Sequence, residues 1–398
     1  MNIKKVLASI SIIALSYSSV GLTAVNARSN DDLNSETSRK IVVFKQGTSD
    51  ETRDKVLGVR FASRKIKRLE NSRADVLENV SDTEIADLKT NPNVLRVETD
   101  AIATIQVRDA RETAKGGGGV TIQAQTLPWG ISKIQANQVW LSGNTADPIK
   151  VGIIDTGISL SHPDLALNIK GSYNAINGRK SANDDNGHGS HVAGIIAALN
   201  NTTGSVGVAP KADIYAIKVL NAAGSGYISD IIEGIDWAIS KNIKVINMSL
   251  GCACDVQSMH AAVIRAKNAG IIVVAAAGNS ATDPVIYPAA YHEAIAVSAT
   301  DSSDQLASWS ARGPEVDLSA PGVSIYSTYK GTGYATLSGT SMASPHVAGS
   351  AALVLFKNPS WTPDQVIAAL ESTATDLGIG GFDNLFGFGL VNALAASQ

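Results

Sequence analysis

Short apolar runs rich in valine and isoleucine recur through the second part of the chain, at Ile149 to Ile154, Ile214 to Val219, Val245 to Met248 and Ile271 to Ala276. Runs this short and this rich in apolar residues read as buried strands. Helical patterns separate them. The clearest is the one-sided stripe Ile228, Ile231, Ile232, Ile235 and Ile239, whose spacing follows the 3.6-residue helical period. Strands alternating with helices predict an α/β domain with a mainly parallel sheet and helices on both faces. Ligands of such sheets bind beyond the carboxyl ends of the strands, so the polar residues just after each run are the ones to inspect.

The first part of the chain is patterned differently. Ile41-Val42-Val43-Phe44 reads as a strand, and Ser81-Asp82-Thr83-Glu84 has capping-box spacing before a short helix. Val94 to Val97 and Ala101 to Ile105 read as two more strands, with Asp100 near the turn, so a small α+β domain is expected. Ahead of it, Lys4 and Lys5 precede an uncharged, mostly apolar stretch from Val6 to Val20, and Val25-Asn26-Ala27 offers small residues for a signal peptidase. Residues 1–27 therefore read as a cleaved export signal. No later run suggests a membrane span, so a secreted, extracellular protein without a stable membrane anchor is expected.

Charge divides the rest. Of 398 residues, 17% are charged and the formal net charge is −3, against a norm of about 25% charged. Residues 28–123 hold 17 basic and 16 acidic side chains, whereas residues 124–398 hold 14 and 20. Between these regions lie the charged stretch Arg108 to Lys115 and the run Gly116-Gly117-Gly118-Gly119, the composition of an exposed connector. The expected organisation is a signal peptide over 1–27, a small domain over 28–106, a linker over 107–123 and a large domain over 124–398. The acidic balance argues against nucleic-acid binding through bulk positive charge. Two cysteines supply neither a disulfide scaffold nor a four-cysteine zinc site.

Three polar residues stand where the sheet would place chemistry. Asp155 follows the run Val151-Gly152-Ile153-Ile154, His188 opens a small-residue helix in Gly187-His188-Gly189-Ser190-His191-Val192-Ala193-Gly194, and Ser341 opens another in Gly339-Thr340-Ser341-Met342-Ala343. Taken singly, these are an ordinary turn aspartate, a structural histidine and a helix cap. Together they supply acid, base and nucleophile in the order Asp, His, Ser. An α/β-hydrolase needs the serine first, and the sole histidine after Ser341 is His346, with no acid between them. A double β-barrel protease is contradicted by the alternating helices.

These three motifs, in this order, closely resemble those of the subtilisin-like serine proteases, densely over residues 124–398 and more weakly over about 40–106, which resembles the family's inhibitory propeptide. The resemblance implies a three-layer fold and a broad-specificity secreted endopeptidase, made as a self-processing zymogen and expected to be monomeric. Ser341 would attack the scissile carbonyl, His188 would take its proton and Asp155 would hold the imidazole. Asn279, in Ala277-Gly278-Asn279-Ser280, would donate to the oxyanion beside the Ser341 amide. Peptide and protein substrates would bind as an added strand between Gly224-Ser225-Gly226 and Ser249-Leu250-Gly251. Ala276, Ala277 and Gly278 would wall the main side-chain pocket, with Ile286 near its base limiting its depth. A non-catalytic binding protein on this fold should have lost a triad member, and none is missing. A narrow processing protease should line its pocket with acids, and these walls are apolar.

The resemblance further implies structural Ca²⁺, held by Gln125, Asp164, Leu199, Asn201, Thr203 and Ser205, with a second cation position at Ala289, Tyr291, Ala294 and Asp317. Two segments repeat across the connector, Ala103-Thr104-Ile105-Gln106 and Val120-Thr121-Ile122-Gln123. Chance accounts for a repeat this short, yet the first ends where such enzymes cut themselves, and the second precedes a stretch resembling a mature N-terminus. Cuts after Gln106 and then after Gln123 are expected. For Cys252 and Cys254 a local disulfide is favoured over two free thiols, because export favours oxidation, although the spacing makes a tight ring.

Overall fold

The computed structural model describes residues 39–113 and 124–398. The expected export signal, the glycine run and Gln123 lie outside the described residues.

The N-terminal region builds a four-stranded antiparallel sheet from β1 (Lys40–Phe44), β2 (Lys65–Leu69), β3 (Ala74–Leu77) and β4 (Val94–Thr99), in the order β2-β3-β1-β4. Two helices cross it, α1 (Asp50–Ala62) and α2 (Asp82–Thr90). The Ser81 capping box forms as its spacing predicts: Glu84 N donates to Ser81 Oγ, and Ser81 N donates to the Glu84 carboxylate. Arg60 and Arg64 hold that carboxylate at 2.8 and 2.6 Å and keep its pKa well below the usual range. One face of the sheet closes a small core with Leu57 and Phe61 of α1. The other face, with Ile41, Val43 and Val76, belongs to the same apolar cluster as Ile228, Ile231 and Ile232 of the large domain.

That large domain is built on seven parallel strands in the order β15-β14-β13-β11-β7-β9-β8. In chain order these are β7 (Lys150–Asp155), β8 (Ile169–Asn174), β9 (Asp213–Lys218), β11 (Val245–Met248), β13 (Ile272–Ala276), β14 (Ala294–Thr300) and β15 (Val316–Pro321). Alternate residues serve opposite faces. Val151, Ile153, Val245 and Val274 join a core with α3 (His188–Ala197) and α6 (Thr340–Lys357). Ile154, Ile246, Val273 and Ala275 join the other, with α4 (Ile228–Ser240) and α5 (Gln257–Asn268). This is the three-layer α/β arrangement that the apolar runs predict. The isoleucine stripe lies on α4, where Ile228, Ile231, Ile232 and Ile235 are fully buried.

Two segments depart from the sequence expectation. The strand expected from Ala101 forms as β5 (Ile102–Ile105) but leaves the small sheet. It runs antiparallel between two short strands of the large domain, β10 (Ser225–Tyr227) and β12 (Leu250–Gly251). The charged start of the connector forms β6 (Asp109–Thr113), paired antiparallel with β17 (Tyr334–Ser338), itself hairpinned with β16 (Ile325–Thr328). Strand pairing on an open edge decides both, rather than local propensity.

Candidate active site

Asp155 ends β7, and His188 is the first residue of α3. Both are buried, and His188 Nδ1 lies 2.8 and 2.9 Å from the two Asp155 carboxylate oxygens. A ring nitrogen facing a carboxylate this closely carries the proton, which leaves Nε2 as the basic end of the imidazole. His188 Nε2 is buried without a hydrogen-bond partner.

Ser341 sits in the first turn of α6. Its hydroxyl donates to Ser249 O at 2.9 Å, and Gln106 N donates back to Ser341 Oγ at 3.0 Å. Ser341 N in turn donates to Gln106 O at 3.2 Å. The Gln106–Val107 peptide therefore lies against the serine, its carbonyl oxygen on the helix-opening amide where an oxyanion would be stabilised. Gly339 lets the chain come this close, because a Cβ there would stand 3.1 Å from Val107 Cα and 3.2 Å from Gln106 C.

Asn279 follows β13, beside this peptide's binding loop. Its Oδ1 accepts from Thr340 N at 2.9 Å and from Thr340 Oγ1 at 3.0 Å, so the amide's Nδ2 end is the one left to donate. Thr340 Oγ1 also accepts from Gly278 N at 3.2 Å, tying the loop to the helix that carries Ser341. Sequence reasoning missed Thr340 as the residue that orients Asn279, although it adjoins the serine in the motif.

Ahead of Gln106, the registers pair Thr104 with Ser225 and Gly251, Ala103 with Gly226 and Ile105 with Leu250. Ile105 N donates to Gly224 O at 3.0 Å, and Gln106 N also approaches Ser249 O at 3.3 Å. Gly224 has a φ of +78°, and a Cβ there would lie 2.8 Å from Ile105 Cδ1, so both conformation and space call for glycine. Beyond Val107, Arg108 N donates to Ser338 O at 2.8 Å before β6 begins. An uncut chain thus threads the cleft on both sides of Ser341, and no sequence pattern marks its far half.

The expected pocket residues adjoin one another. Ile286 N donates to Ala277 O at 3.1 Å, and Ala277 N to Val297 O at 3.1 Å, just past Ala276 at the end of β13. A Cβ on Gly251 would stand 2.5 Å from Ile286 Cδ1 and one on Gly278 3.4 Å from Ile286 Cγ2, so Ile286 fills the space between these two glycines. Cys252 and Cys254 are joined as a disulfide, with Cα atoms 5.2 Å apart.

The six residues expected around calcium also converge. Gln125 Nε2 donates to Leu199 O at 2.8 Å and Ser205 O at 3.2 Å, and Asn201 Nδ2 donates to Asp164 Oδ1 at 2.7 Å. Ser205 N and Tyr334 OH donate to Asp164 Oδ2 at 2.9 and 2.8 Å, and Thr203 N to Asn201 Oδ1 at 2.7 Å. Of the second expected group, Asp317 Oδ2 accepts from Ala296 N at 2.7 Å, and burial pushes its pKa up to about 7. Ala289 and Tyr291 are buried in the turn leading to β14, and Ala294 is buried at its first position.

Two further histidines are structural. His191 Nε2 faces Ile325 O and Ala335 O at 3.1 Å each, and burial pushes its pKa down to about 3. His346 Nδ1 faces Met342 O at 2.8 Å, and burial pushes it down to about 4. Both are held neutral inside the core.

Among the described residues no helix is long and apolar enough to cross a membrane. Comparison with known proteins places this geometry. The model of the subtilase family matches residues 146–389. The chain is 51% identical over 279 residues to an alkaline protease of Alkalihalobacillus alcalophilus, covering 70% of this chain and 72% of that protein. It is 51% identical over 275 residues to subtilisin Savinase of Lederbergia lenta, covering 69% of this chain and 100% of that protein. With subtilisin E of Bacillus subtilis (strain 168) it shares 47% identity over 319 residues, 79% of this chain and 78% of that protein. The chain belongs to the subtilase family and is a serine-type endopeptidase.

Proposed function

We propose that this protein is a secreted, broad-specificity endopeptidase made as a zymogen, which first cuts its own Gln106–Val107 bond. The observation that carries this reading is the placement of that peptide, with Gln106 N on Ser341 Oγ and Gln106 O on Ser341 N. In the reaction the Ser341 hydroxyl leaves the Ser249 carbonyl and attacks Gln106 C, and its proton passes to His188 Nε2. Asp155 holds the other ring nitrogen and stabilises the imidazolium as it forms. The oxyanion on Gln106 takes hydrogen bonds from Ser341 N and Asn279 Nδ2. Val107 leaves with the proton that His188 returns, and water repeats the sequence to free the Gln106 carboxylate.

Residues 28–106 would then act as the enzyme's own inhibitor, with Ala103 to Gln106 lying in the cleft as a cleaved substrate does. Other peptides would take the same path, as a strand between Gly224-Ser225-Gly226 and Ser249-Leu250-Gly251. The apolar pocket of Ala276, Ala277, Gly278 and Ile286 asks for no particular charge, which supports breadth. Trimming after Gln123 would follow, giving Ala124 as the mature N-terminus.

Structural calcium fits the first expected site. Turning the Gln125 and Asn201 amides end for end, which exchanges oxygen for nitrogen, would present their oxygens beside Asp164 and the Leu199 and Ser205 carbonyl groups. That is an all-oxygen set of the kind Ca²⁺ takes. Bound there, the ion would tie the segment at Gln125 to the Leu199–Ser205 loop and leave the chemistry to the triad.

N-terminal sequencing of the secreted protein tests the reading. Wild type should yield Val107 or Ala124 as the new terminus, and Ser341→Ala should stay uncut. Removal of this serine costs about 10⁶ in turnover, a value the subtilisins themselves supply. Cutting elsewhere, or cutting by the Ser341→Ala chain alone, would refute it.

A further inference from the structure

Away from the triad, three side chains with metal-binding chemistry meet on the surface of the large domain. His260 projects from α5, while His292 and Glu293 lie in the turn just before β14. Their ligand atoms all fall within 4.8 Å of one another. Glu293 is the hub: Oε2 is 2.9 Å from His260 Nε2 and Oε1 is 3.1 Å from His292 Nε2. Its side chain is 9% exposed, against 34% for His260 and 82% for His292, so a buried carboxylate opens towards solvent through one imidazole. The His260 ring is fixed by lying flat on Tyr291, with centroids 4.2 Å apart. The Tyr291 hydroxyl is anchored in turn on Asp255 Oδ1 at 3.1 Å and Val256 O at 3.2 Å.

We infer that His260, His292 and Glu293 form a binding site for a zinc-class divalent cation. Two imidazole nitrogens and one carboxylate are the donor set of borderline ions, whereas Ca²⁺ takes oxygens alone. Ligands about 2.0–2.1 Å from a tetrahedral ion stand about 3.3 Å from each other. The two imidazole–carboxylate separations, one to each Glu293 oxygen, need to open by only a few tenths of an ångström, and the two imidazoles, within 4.8 Å of each other, draw together by a turn of the exposed His292 side chain. Each neutral imidazole then keeps its proton on Nδ1 and turns a bare Nε2 to the metal. The exposed side at His292 leaves the fourth position to water.

This position differs from the second cation position implied by the family resemblance. That one uses Ala289 and Tyr291 of the same turn, Ala294 of β14 and Asp317 of β15, an oxygen-only set. The zinc-class ion would act at a distance from the triad, as a staple. The turn it grips continues back to Tyr287 and Ile286, and Tyr287 exchanges two backbone hydrogen bonds of 3.0 Å with Cys252. Helix α5 follows the Cys252–Cys254 bridge. The ion would therefore clip the segment that carries Ile286 to the one that carries the Ser249-Leu250-Gly251 edge.

The Ser341→Ala chain, which cannot digest itself, is the protein to test, held in excess calcium so that oxygen-lined sites are filled. Zinc should be retained at one ion per chain after dialysis and should raise the unfolding temperature. Co²⁺ in its place should give the visible absorption band of nitrogen ligation. His292→Gln, at an exposed position where the fold is not at risk, and His260→Gln should each weaken zinc binding by about tenfold or more. Zinc retained equally by both variants, or none retained by the parent chain, would overturn the inference.

Discussion

The small N-terminal domain and the large catalytic domain are held together by different means. The large domain closes two apolar cores, one on each face of its parallel sheet. The small domain closes only one, around Val42, Phe44, Leu57, Phe61 and Leu77. Beside that core it carries a buried charge network: Arg53 is nearly buried and pairs with Asp75 at 3.2 Å, and Arg68 reaches Asp75 from another side at 3.0 Å. Buried ion pairs repay much of their gain in lost hydration. A domain of this size with half a core is marginal on its own, and the missing half is lent by α4 and α5. The large domain, by contrast, closes the core around α3 and α6 without any residue of the small one.

Docking is also electrostatic. Lys67 pairs with Asp230, with Glu233 at 2.6 Å, and donates to Ala175 O at 2.8 Å. Asp100 accepts from Ser229 N and Oγ at 2.8 Å each, at the positive end of α4, and pairs with Arg39 at 2.9 Å.

The sharpest way to break this contrast is to separate the domains. Residues 28–106 alone should show little cooperative unfolding by circular dichroism, and should gain it when mature Ser341→Ala enzyme is added. A stably folded fragment would mean that the borrowed face is dispensable. Next in size, Asn279→Ala should slow self-cutting by about 10²–10³, a value measured on subtilisin itself, while the uncut domain stays docked. Pulse-chase of the precursor checks this, and an unchanged rate would remove Asn279 from the chemistry. Lys67→Ala should weaken inhibition of the mature enzyme by the cleaved domain by about 30-fold, the equivalent of about 2 kcal/mol. Turnover without the domain should not change. The smallest effect concerns acid. His191 has its pKa lowered from 6.5 to about 3, so between those values the unfolded chain binds a proton that the folded one refuses. Stability contributed by this neutral histidine is complete above about 6.5 and is lost as pH falls towards 3. His191→Asn should flatten that acid slope in urea midpoints measured across pH, whatever it costs at neutrality.

Legibility in the sequence followed burial. The strands β7, β11 and β13 are buried almost throughout, so they read as short apolar runs rich in Val and Ile. Strand β8, Ile-Lys-Gly-Ser-Tyr-Asn at the sheet edge, alternates half-buried with exposed positions and carries no such mark. Ala101 to Ile105 shows strand character, but its partners Ser225 and Leu250 lie far along the chain and nothing local names them. The charged stretch from Asp109 to Thr113 reads as connector because its strand form depends on the edge offered by Tyr334–Ser338. At the site, Asp155, His188 and Ser341 were visible through the glycines and small residues around them, which close packing of backbone requires. His260, His292 and Glu293 have no such frame. They come from two separate elements, and only the fold unites them.

The continuous chain through the cleft has a kinetic meaning. While the bond after Gln106 is intact, the occupying segment is tethered, and its effective concentration is set by the chain and not by the medium. Dilution cannot empty the cleft. On the proposed cut, the same segment becomes a separate molecule whose hold depends on how much of it is nearby. Release into a large volume then becomes an activating event in its own right, and each molecule keeps time by one bond.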